Sequence, residues 1–598
     1  MKEVLKGNAI QKYLKQLSKF SKNEIEDSLI RIFLDEKSEE LDFLLENKLQ
    51  ELEIPLNIEN TIYLFETLLE EEIVTENGIV FTPKYIADFI CDGIWKNLEE
   101  WNKQIKVIDP GCGCGIFLVA AILYIHQKYQ IKIDTIITEH IYGIELDENN
   151  VRRCKKIIKA LAKKEGVEVE DSQIHILHTD SLKQDWCQVF DVEKFHYIIG
   201  NPPYVNTHDM SKDTAKFLKE NFMTTKTGVY NIFYAFIEHA MKHLSENGSL
   251  SYIVPNNFLT IKSATDLRDY LKKQNYICSI LDFGDNMVFK PVRTYNCIII
   301  LNKLPKEKIK YHVLKKTEEI ERTLQNISYD TMEIGRLDKN GWNLVDHKTH
   351  ENLMKIENQG KQIKDFIRTG IATLRDDVYM VEKDEFGYFK MVEGKRYDID
   401  GEIVKTIFKI PELRKHLNIK DAERNIIFPY TKSEKGYQVI EEDVIQENYE
   451  NTYRYLQVMR NELEKRDKGK GKVPVWYAYG RTQGLNKYGR KLLFPTFAGY
   501  PKFLLIEDES ALFCNGYGIF ENDYLELEEL RSILNSKIMQ YYVVNTSYAI
   551  EGGYYCYQKK YIEKFSFPCF DEDERKILKC GNQELIDEML VKKYDLTI

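Results

Sequence analysis

Apolar residues recur at helical spacing from Ile25 to Leu49 and again from Ile58 to Leu69. That period predicts amphipathic helices packed on a neighbour. A different rhythm follows. Short apolar runs end in polar or glycine-rich residues and alternate with helical stretches: Lys106 to Ile108 before Asp109, Ile141 to Asp147 carrying Glu145, Ile174 to Leu177 before Asp180, and Phe195 to Ile199 before Gly200. Unbroken apolar runs suit strands covered on both faces, and their alternation with helices predicts a parallel, doubly wound α/β sheet. The polar residues that end these runs then share its carboxyl edge. A helix is expected from Val229 to Leu244, a strand from Gly248 to Pro255, and a closing strand from Cys297 to Leu301. From Pro305 the chain turns lysine-rich and the periodicity weakens, which marks a linker. The expected partition is a helical segment over 1–75, an α/β domain over 76–305 and a further domain over 306–598.

Composition narrows the class. At 598 residues with 43% hydrophobic side chains, the chain can bury several cores. It contains no run of eighteen apolar residues, and its first forty positions are peppered with Lys and Glu, so neither a membrane span nor a signal segment is expected. Cytoplasmic placement follows. Eleven Cys without CxxC spacing predict neither disulfides nor a metal site. The net charge of -11 argues against a nucleic-acid partner, but it hides local asymmetry. Residues 1–75 hold 17 acidic and 9 basic side chains, whereas Arg454 to Lys491 holds 11 basic and 3 acidic. In that basic stretch Lys468, Lys470 and Lys472 alternate with glycine, and Trp476, Tyr477, Tyr479, Arg481 and Tyr488 follow. Cations interleaved with aromatics suit a phosphate backbone and exposed bases. The plainer alternative is a solvated loop beside core aromatics.

Candidate chemistry gathers at the strand ends. In Asn201-Pro202-Pro203-Tyr204 each proline fixes φ and lacks an N–H. A stiff loop of this kind aims carbonyl oxygens outward, so an amide, a carbonyl and an aromatic ring can grip a planar amine. Asn-Pro also marks ordinary turns. Asp109-Pro110-Gly111-Cys112-Gly113-Cys114-Gly115 is a strand-to-helix turn with GxGxG spacing. It lacks the third glycine of the dinucleotide fingerprint, and Asp109 repels phosphate while attracting an ammonium group. Glu145 is placed to accept from ribose hydroxyls and Asp180 from an exocyclic amine. Cys112 and Cys114 serve as small apolar residues beside the glycines. Upstream, Thr82 is expected to cap a helix whose first turn holds Pro83. Asp282-Phe283-Gly284 resembles a kinase metal motif, but the kinase glycine loop and HRD tripeptide are missing.

Taken jointly and in this order, Thr82-Pro83, Asp109 to Gly115 and Asn201 to Tyr204 resemble the amino-methyltransferases that modify exocyclic amines in DNA, of the TaqI/Eco57I-like, adenine-specific subclass. The match covers about residues 76 to 305. The resemblance implies a Rossmann-like methyltransferase domain that uses S-adenosyl-L-methionine, followed by a mixed α+β target-recognition domain, with double-stranded DNA as partner. It places Thr82 and Asp109 at the methionine part of the cofactor, Glu145 at its ribose and Asp180 at its adenine, with Gly111 and Gly113 also among the cofactor-binding residues. It further places Asn201, Pro202, Pro203 and Tyr204 at the target base, with Phe289 packing on that base. Lys468, Lys470, Lys472 and Arg481 are assigned to DNA. A monomer is expected, with a separate cognate restriction endonuclease as a further partner. The family usually has Ala and Ser where Cys112 and Cys114 stand. Methylation of cytosine N4, methylation of protein glutamine or RNA, and a catalytically silent DNA-binding subunit stay open as alternatives.

Overall fold

The computed structural model describes the chain apart from residues 1–8, 11, 18, 69–81, 290–293, 318, 340, 416–418, 434–435, 467–472, 482, 487, 551 and 598. It comprises two compact units, Met1–Asp346 and His347–Ile598.

The first unit is built on a nine-stranded sheet. Its strands are β1 (Val107–Asp109), β2 (Ile141–Glu145), β3 (His175–His178), β4 (Phe195–Gly200), β5 (Leu244–Pro255), β6 (Ile277–Met287), β7 (Tyr295–Asn302), β8 (Lys308–Val313) and β9 (Asp330–Glu333). They lie in the order β3-β2-β1-β4-β5-β7-β6-β8-β9. The first five are parallel, as the apolar runs predict, and the order of strand addition reverses at β1, with β2 and β3 on one side and β4 and β5 on the other. Alternate side chains feed two cores. Val107, Ile199, Ile253 and Leu281 enter one together with Phe117 and Ile157, while Ile108, Ile198, Val254 and Ile280 enter the other with Phe236 and Leu267. This two-sided burial is the physical reason the runs carry no polar alternation.

Two expectations about this sheet need correction. It is not wholly parallel, because β7 runs antiparallel between β5 and β6. The link from Met287 to Tyr295 is too short for a parallel crossover, which takes a dozen or more residues. Nor does the sheet close at Leu301: β8 pairs in parallel with β6, and β9 follows it. In β8 the lysines of Lys308-Ile309-Lys310-Tyr311 alternate with buried Ile309 and Tyr311, so the lysine-rich composition hides a half-buried strand. The two compact units accordingly divide after Asp346, past the linker expected near 305.

The amino-terminal period resolves into three helices, Lys22–Phe33, Glu40–Glu51 and Ile58–Thr67, with Asp35 in the left-handed region where the first one ends. The expected helix from Val229 is shorter, Phe233–His243. At the helix Lys84–Trp95 the capping position is Pro83, with no side-chain cap, so Thr82 lies one residue outside and is left for another role.

The second unit is mixed α+β. Three antiparallel strands at one edge, Lys395–Ile399, Gly387–Val392 and Met380–Asp384, continue through Glu423–Ile427 and Val404–Lys409 to Leu512–Cys514. A four-stranded sheet includes Ile367–Thr369 and Tyr517–Phe520, and the chain ends in helices such as Lys537–Thr546 and Gln583–Lys593. No helix among the described residues is long and apolar enough to cross a membrane.

Candidate active site

Asp109 ends β1 and is 1% exposed. One carboxylate oxygen, Oδ1, accepts the Gly111 N–H at 3.0 Å, while Oδ2 is buried without a hydrogen-bond partner. Burial pushes the Asp109 carboxyl up to about 8; the Gly111 N–H opposes that shift and the nearby Glu145 adds to it. A desolvated acid with an unsatisfied oxygen is a socket for a cation. Next to it, Gly200 ends β4 at φ +148°, and a Cβ there would meet Asp109 Oδ1 at 2.6 Å. Only glycine lets the two strand ends approach so closely. Gly200→Ala is expected to displace the Asp109 carboxylate at a cost of about 1–3 kcal/mol in strain. Calorimetric titration with S-adenosylmethionine checks this, and unchanged affinity in the variant refutes it.

The glycine turn is tied to the next acid. Glu145 Oε2 accepts the Gly113 N–H at 2.8 Å and Oε1 accepts the Asp147 N–H at 2.9 Å. Burial raises this carboxyl as well, while those backbone donors pull it back. Gly113 adopts φ +52°, with nothing within 4 Å of its missing Cβ, so the turn needs its backbone freedom. Gly111 faces the Pro203 ring, with 4.0 Å between its ideal Cβ position and Pro203 Cδ. Asp180, after β3, accepts from the Leu182 N–H at 3.1 Å and pairs with Lys183 at 2.9 Å. It therefore shapes a short turn at the same sheet edge.

Thr82 and Asn201, 119 residues apart, meet here. The Asn201 Nδ2 donates to Thr82 Oγ1 at 3.1 Å, and Thr82 is 8% exposed. With the donor end of the amide held by Thr82, its acceptor end turns the other way. Pro202 is buried and Pro203 half-buried. Tyr204 is anchored by its hydroxyl, which donates to the Ile253 carbonyl at 3.0 Å and accepts from Asn296 Nδ2 at 3.2 Å. Burial pushes this phenol well up, so it stays neutral. Sequence reasoning missed Asn296, which is fully buried. Its one signal is a polar residue opening the apolar run Cys297 to Leu301. Phe289 is 3% exposed within the same core as Leu281 and Phe283. Its ring is thus packed in the sheet's own core.

Cys112 and Cys114 are buried, as small apolar residues would be. Among the described residues one cluster, Asp185, Cys187 and His243, brings metal-binding atom types together. Both imidazole nitrogens there are already engaged, Nε2 by the Trp186 N–H at 3.2 Å and Nδ1 by the His239 carbonyl at 2.9 Å.

In the second unit the basic stretch is less open than its composition implies. Arg454, Arg460, Lys465 and Arg490 pair with carboxylates. Arg466 and Lys491 are buried against backbone carbonyls. Tyr477 and Tyr479 are core residues, 0% and 1% exposed, so the plainer alternative holds for them. Arg481 is exposed and donates to the Gly480 carbonyl at 3.1 Å. Lys468, Lys470 and Lys472 lie outside the described residues.

The fold is that of Rossmann-like methyltransferases, and the residues at its edge fit S-adenosyl-L-methionine as cofactor: an unsatisfied buried acid for a cation and a second acid beyond the glycine turn. Residues 139–289 match the family model described as Eco57I restriction-modification methylase. The chain is 24% identical over 586 residues to the type II restriction enzyme and methyltransferase RM.Eco57I of Escherichia coli, which covers 85% of this chain and 58% of that one. It is 21% identical over 566 residues to the type II methyltransferase M.BstVI of Geobacillus stearothermophilus, covering 87% and 94%. The DNA complex of the type IIL restriction-modification enzyme MmeI shares the fold, with a TM-score of 0.61 at 14% identity over 92% of this chain and 76% of that one. The resemblance to the Eco57I-like DNA methyltransferases is thereby borne out.

Proposed function

We propose that the chain is a site-specific DNA methyltransferase that moves a methyl group from S-adenosyl-L-methionine to N6 of adenine in a duplex, as the modification enzyme of a restriction-modification system. The observation that carries this is the convergence of Asn201, held by Thr82, with the unsatisfied acid Asp109 at one sheet edge. The relatives named as type II methyltransferases support it.

When bound, the cofactor supplies an electrophilic methyl on a sulfonium. The chain supplies the rest. The lone pair of an exocyclic amine is delocalised into its ring, so the amine is a poor nucleophile. Asn201 Oδ1 and the Pro202 carbonyl would accept its two N–H groups, which localises the lone pair on nitrogen; as the N–C bond formed, the S–C electron pair would stay with the departing thioether sulfur and one N–H proton would be lost to solvent. Tyr204, with its hydroxyl fixed, offers a ring face to the base, and Phe289 is the second aromatic for it once its packing opens. Catalysis of this kind is mostly positioning. Because N6 is paired inside a duplex, the base leaves the stack before reacting. The chain acts as a monomer, and a separate endonuclease cleaves the unmodified site.

Digesting methylated DNA to nucleosides tests the reaction. N6-methyl-2′-deoxyadenosine is expected by mass spectrometry, and methyl on cytosine favours the N4 alternative instead. Residues 306–598 are assigned to sequence recognition and phosphate contact. Neutralising Lys468, Lys470 and Lys472 together is expected to lower the log-log salt slope of DNA binding by up to about 2.7. An unaltered slope, with cofactor affinity as the folding control, removes these three lysines from the interface.

A further inference from the structure

The acidic amino-terminal helices have a partner in the catalytic unit. They pack on the helix Glu148–Lys164, which starts two residues after the strand that carries Glu145, and whose Cys154 touches the glycine turn. A Cβ at Gly115 would meet Cys154 Sγ at 2.5 Å, so this helix is seated directly on the turn.

Charge holds the helices together. Glu26 is 0% exposed and faces three cations of that helix: Arg153 Nε at 2.6 Å, Arg152 Nη1 at 3.0 Å and Lys156 Nζ at 3.6 Å. Outside this buried centre Lys156 pairs with Asp27, Lys163 with Glu36 and Lys164 with Asp35. Exposed pairs of this sort contribute little individually. The Glu26–Arg153 pair differs because Arg153 is only 3% exposed, and losing one partner leaves a charge buried and uncompensated.

Arg153 also points onward. Its Nη1 donates to Asn150 Oδ1 at 3.3 Å, and the same oxygen accepts the Cys114 thiol at 3.8 Å. The Asn150 N–H reaches Asp147 at 3.0 Å, the Asp147 N–H reaches Glu145, and Glu145 holds the Gly113 N–H. Hydrogen bonds joined through the residues Asn150 and Asp147 thus link Glu26 to the turn and to the acid assigned to the ribose. We propose that the amino-terminal helical segment is part of the cofactor site, with Glu26, Arg153 and Asn150 as positioning residues that hold the glycine turn in its binding conformation. This rests on the turn being where S-adenosylmethionine binds.

The test uses the full chain. Replacing both charges by apolar side chains, Glu26→Leu with Arg153→Met, avoids a stranded charge, and such exchanges often keep a protein folded. Titration with S-adenosylmethionine is expected to show about tenfold weaker binding, by analogy with the loss of groups that orient metal ligands. The KM for cofactor rises with it, while kcat at saturation and DNA affinity stay at wild-type levels. Asn150→Ala is expected to weaken cofactor binding likewise without touching the ion pair, and it decides the matter if the double variant does not fold. Glu36→Gln, which breaks only an exposed pair, is expected to change nothing. Wild-type cofactor affinity in a folded Asn150→Ala or double variant overturns the proposal, as does an equal loss in Glu36→Gln. A wild-type chain that does not bind S-adenosylmethionine defeats both this proposal and the cofactor assignment beneath it.

Discussion

Asn201→Ala is expected to lower methyl transfer by roughly 10²-fold to 10³-fold, by comparison with the loss of one positioned hydrogen-bonding group in an oxyanion hole. In the proposed reaction the side chain supplies one of two acceptors for the amine, and its orientation is set by the hydrogen bond to Thr82. Cofactor binding should survive, since the acids proposed to face the cofactor belong to other strands. Transfer of labelled methyl to duplex DNA, with calorimetry of cofactor binding in parallel, separates the two effects. Retained turnover in the variant would remove Asn201 from the chemistry. A joint loss of binding and turnover would instead mean that it props up the Thr82 side of the cofactor pocket.

The second large effect belongs to Asp109 and depends on pH. With its carboxyl pushed up to about 8 in the ligand-free protein, it is mostly neutral at pH 7. A cationic ligand prefers the carboxylate, so binding expels the proton. Affinity for S-adenosylmethionine is expected to fall by up to about tenfold for each pH unit below about 8. The stability of the ligand-free chain has the opposite sign. From about pH 4 to 8 the folded state holds a proton here that the unfolded state has lost, so this contribution to stability falls as pH rises through that window. Asp109→Asn should bind weakly with a flattened pH profile, yet melt higher than wild type at pH 8 without ligand. Calorimetry in buffers of different ionisation enthalpy counts the released proton. Identical pH profiles for the two proteins would show that Asp109 does not meet the cation.

Much of this site was legible in residue order. Asp109, Glu145, Asp180 and Asn201 each end an apolar run, and the period of those runs places them on one edge, where the structure has them. Glycine spacing marked the turn whose Gly113 must adopt a positive φ. Thr82 was singled out for the wrong local reason: a proline at the capping position leaves its hydroxyl to Asn201 rather than to the helix. Asn150 was not legible, because nothing in its neighbourhood along the chain distinguishes a buried polar anchor from a surface residue, and for Asn296 the apolar run that follows it marks burial but not its partner Tyr204. Composition misled most in the second unit. Most of the described cations of that basic window are engaged by Glu450, Glu462, Glu464, Glu507 and buried carbonyls, two of those acids lying outside the window.

By itself the sequence determined the alternation of strands and helices, the carboxyl edge on which the polar residues converge, and the three motifs whose order marks the methyltransferase. These are local properties: the period of burial, the backbone freedom of glycine and the stiffness of proline act within a few residues. Only the tertiary structure decided that a lysine-rich stretch is a sheet strand, that Phe289 packs in a core, and that Thr82 meets Asn201 across 119 residues. It also decided that an acidic helix at one end of the chain clamps a basic helix 127 residues away through Glu26 and Arg153. Hydrogen bonds and ion pairs between distant residues depend on angle and desolvation, and neither exists until the chain has closed on itself.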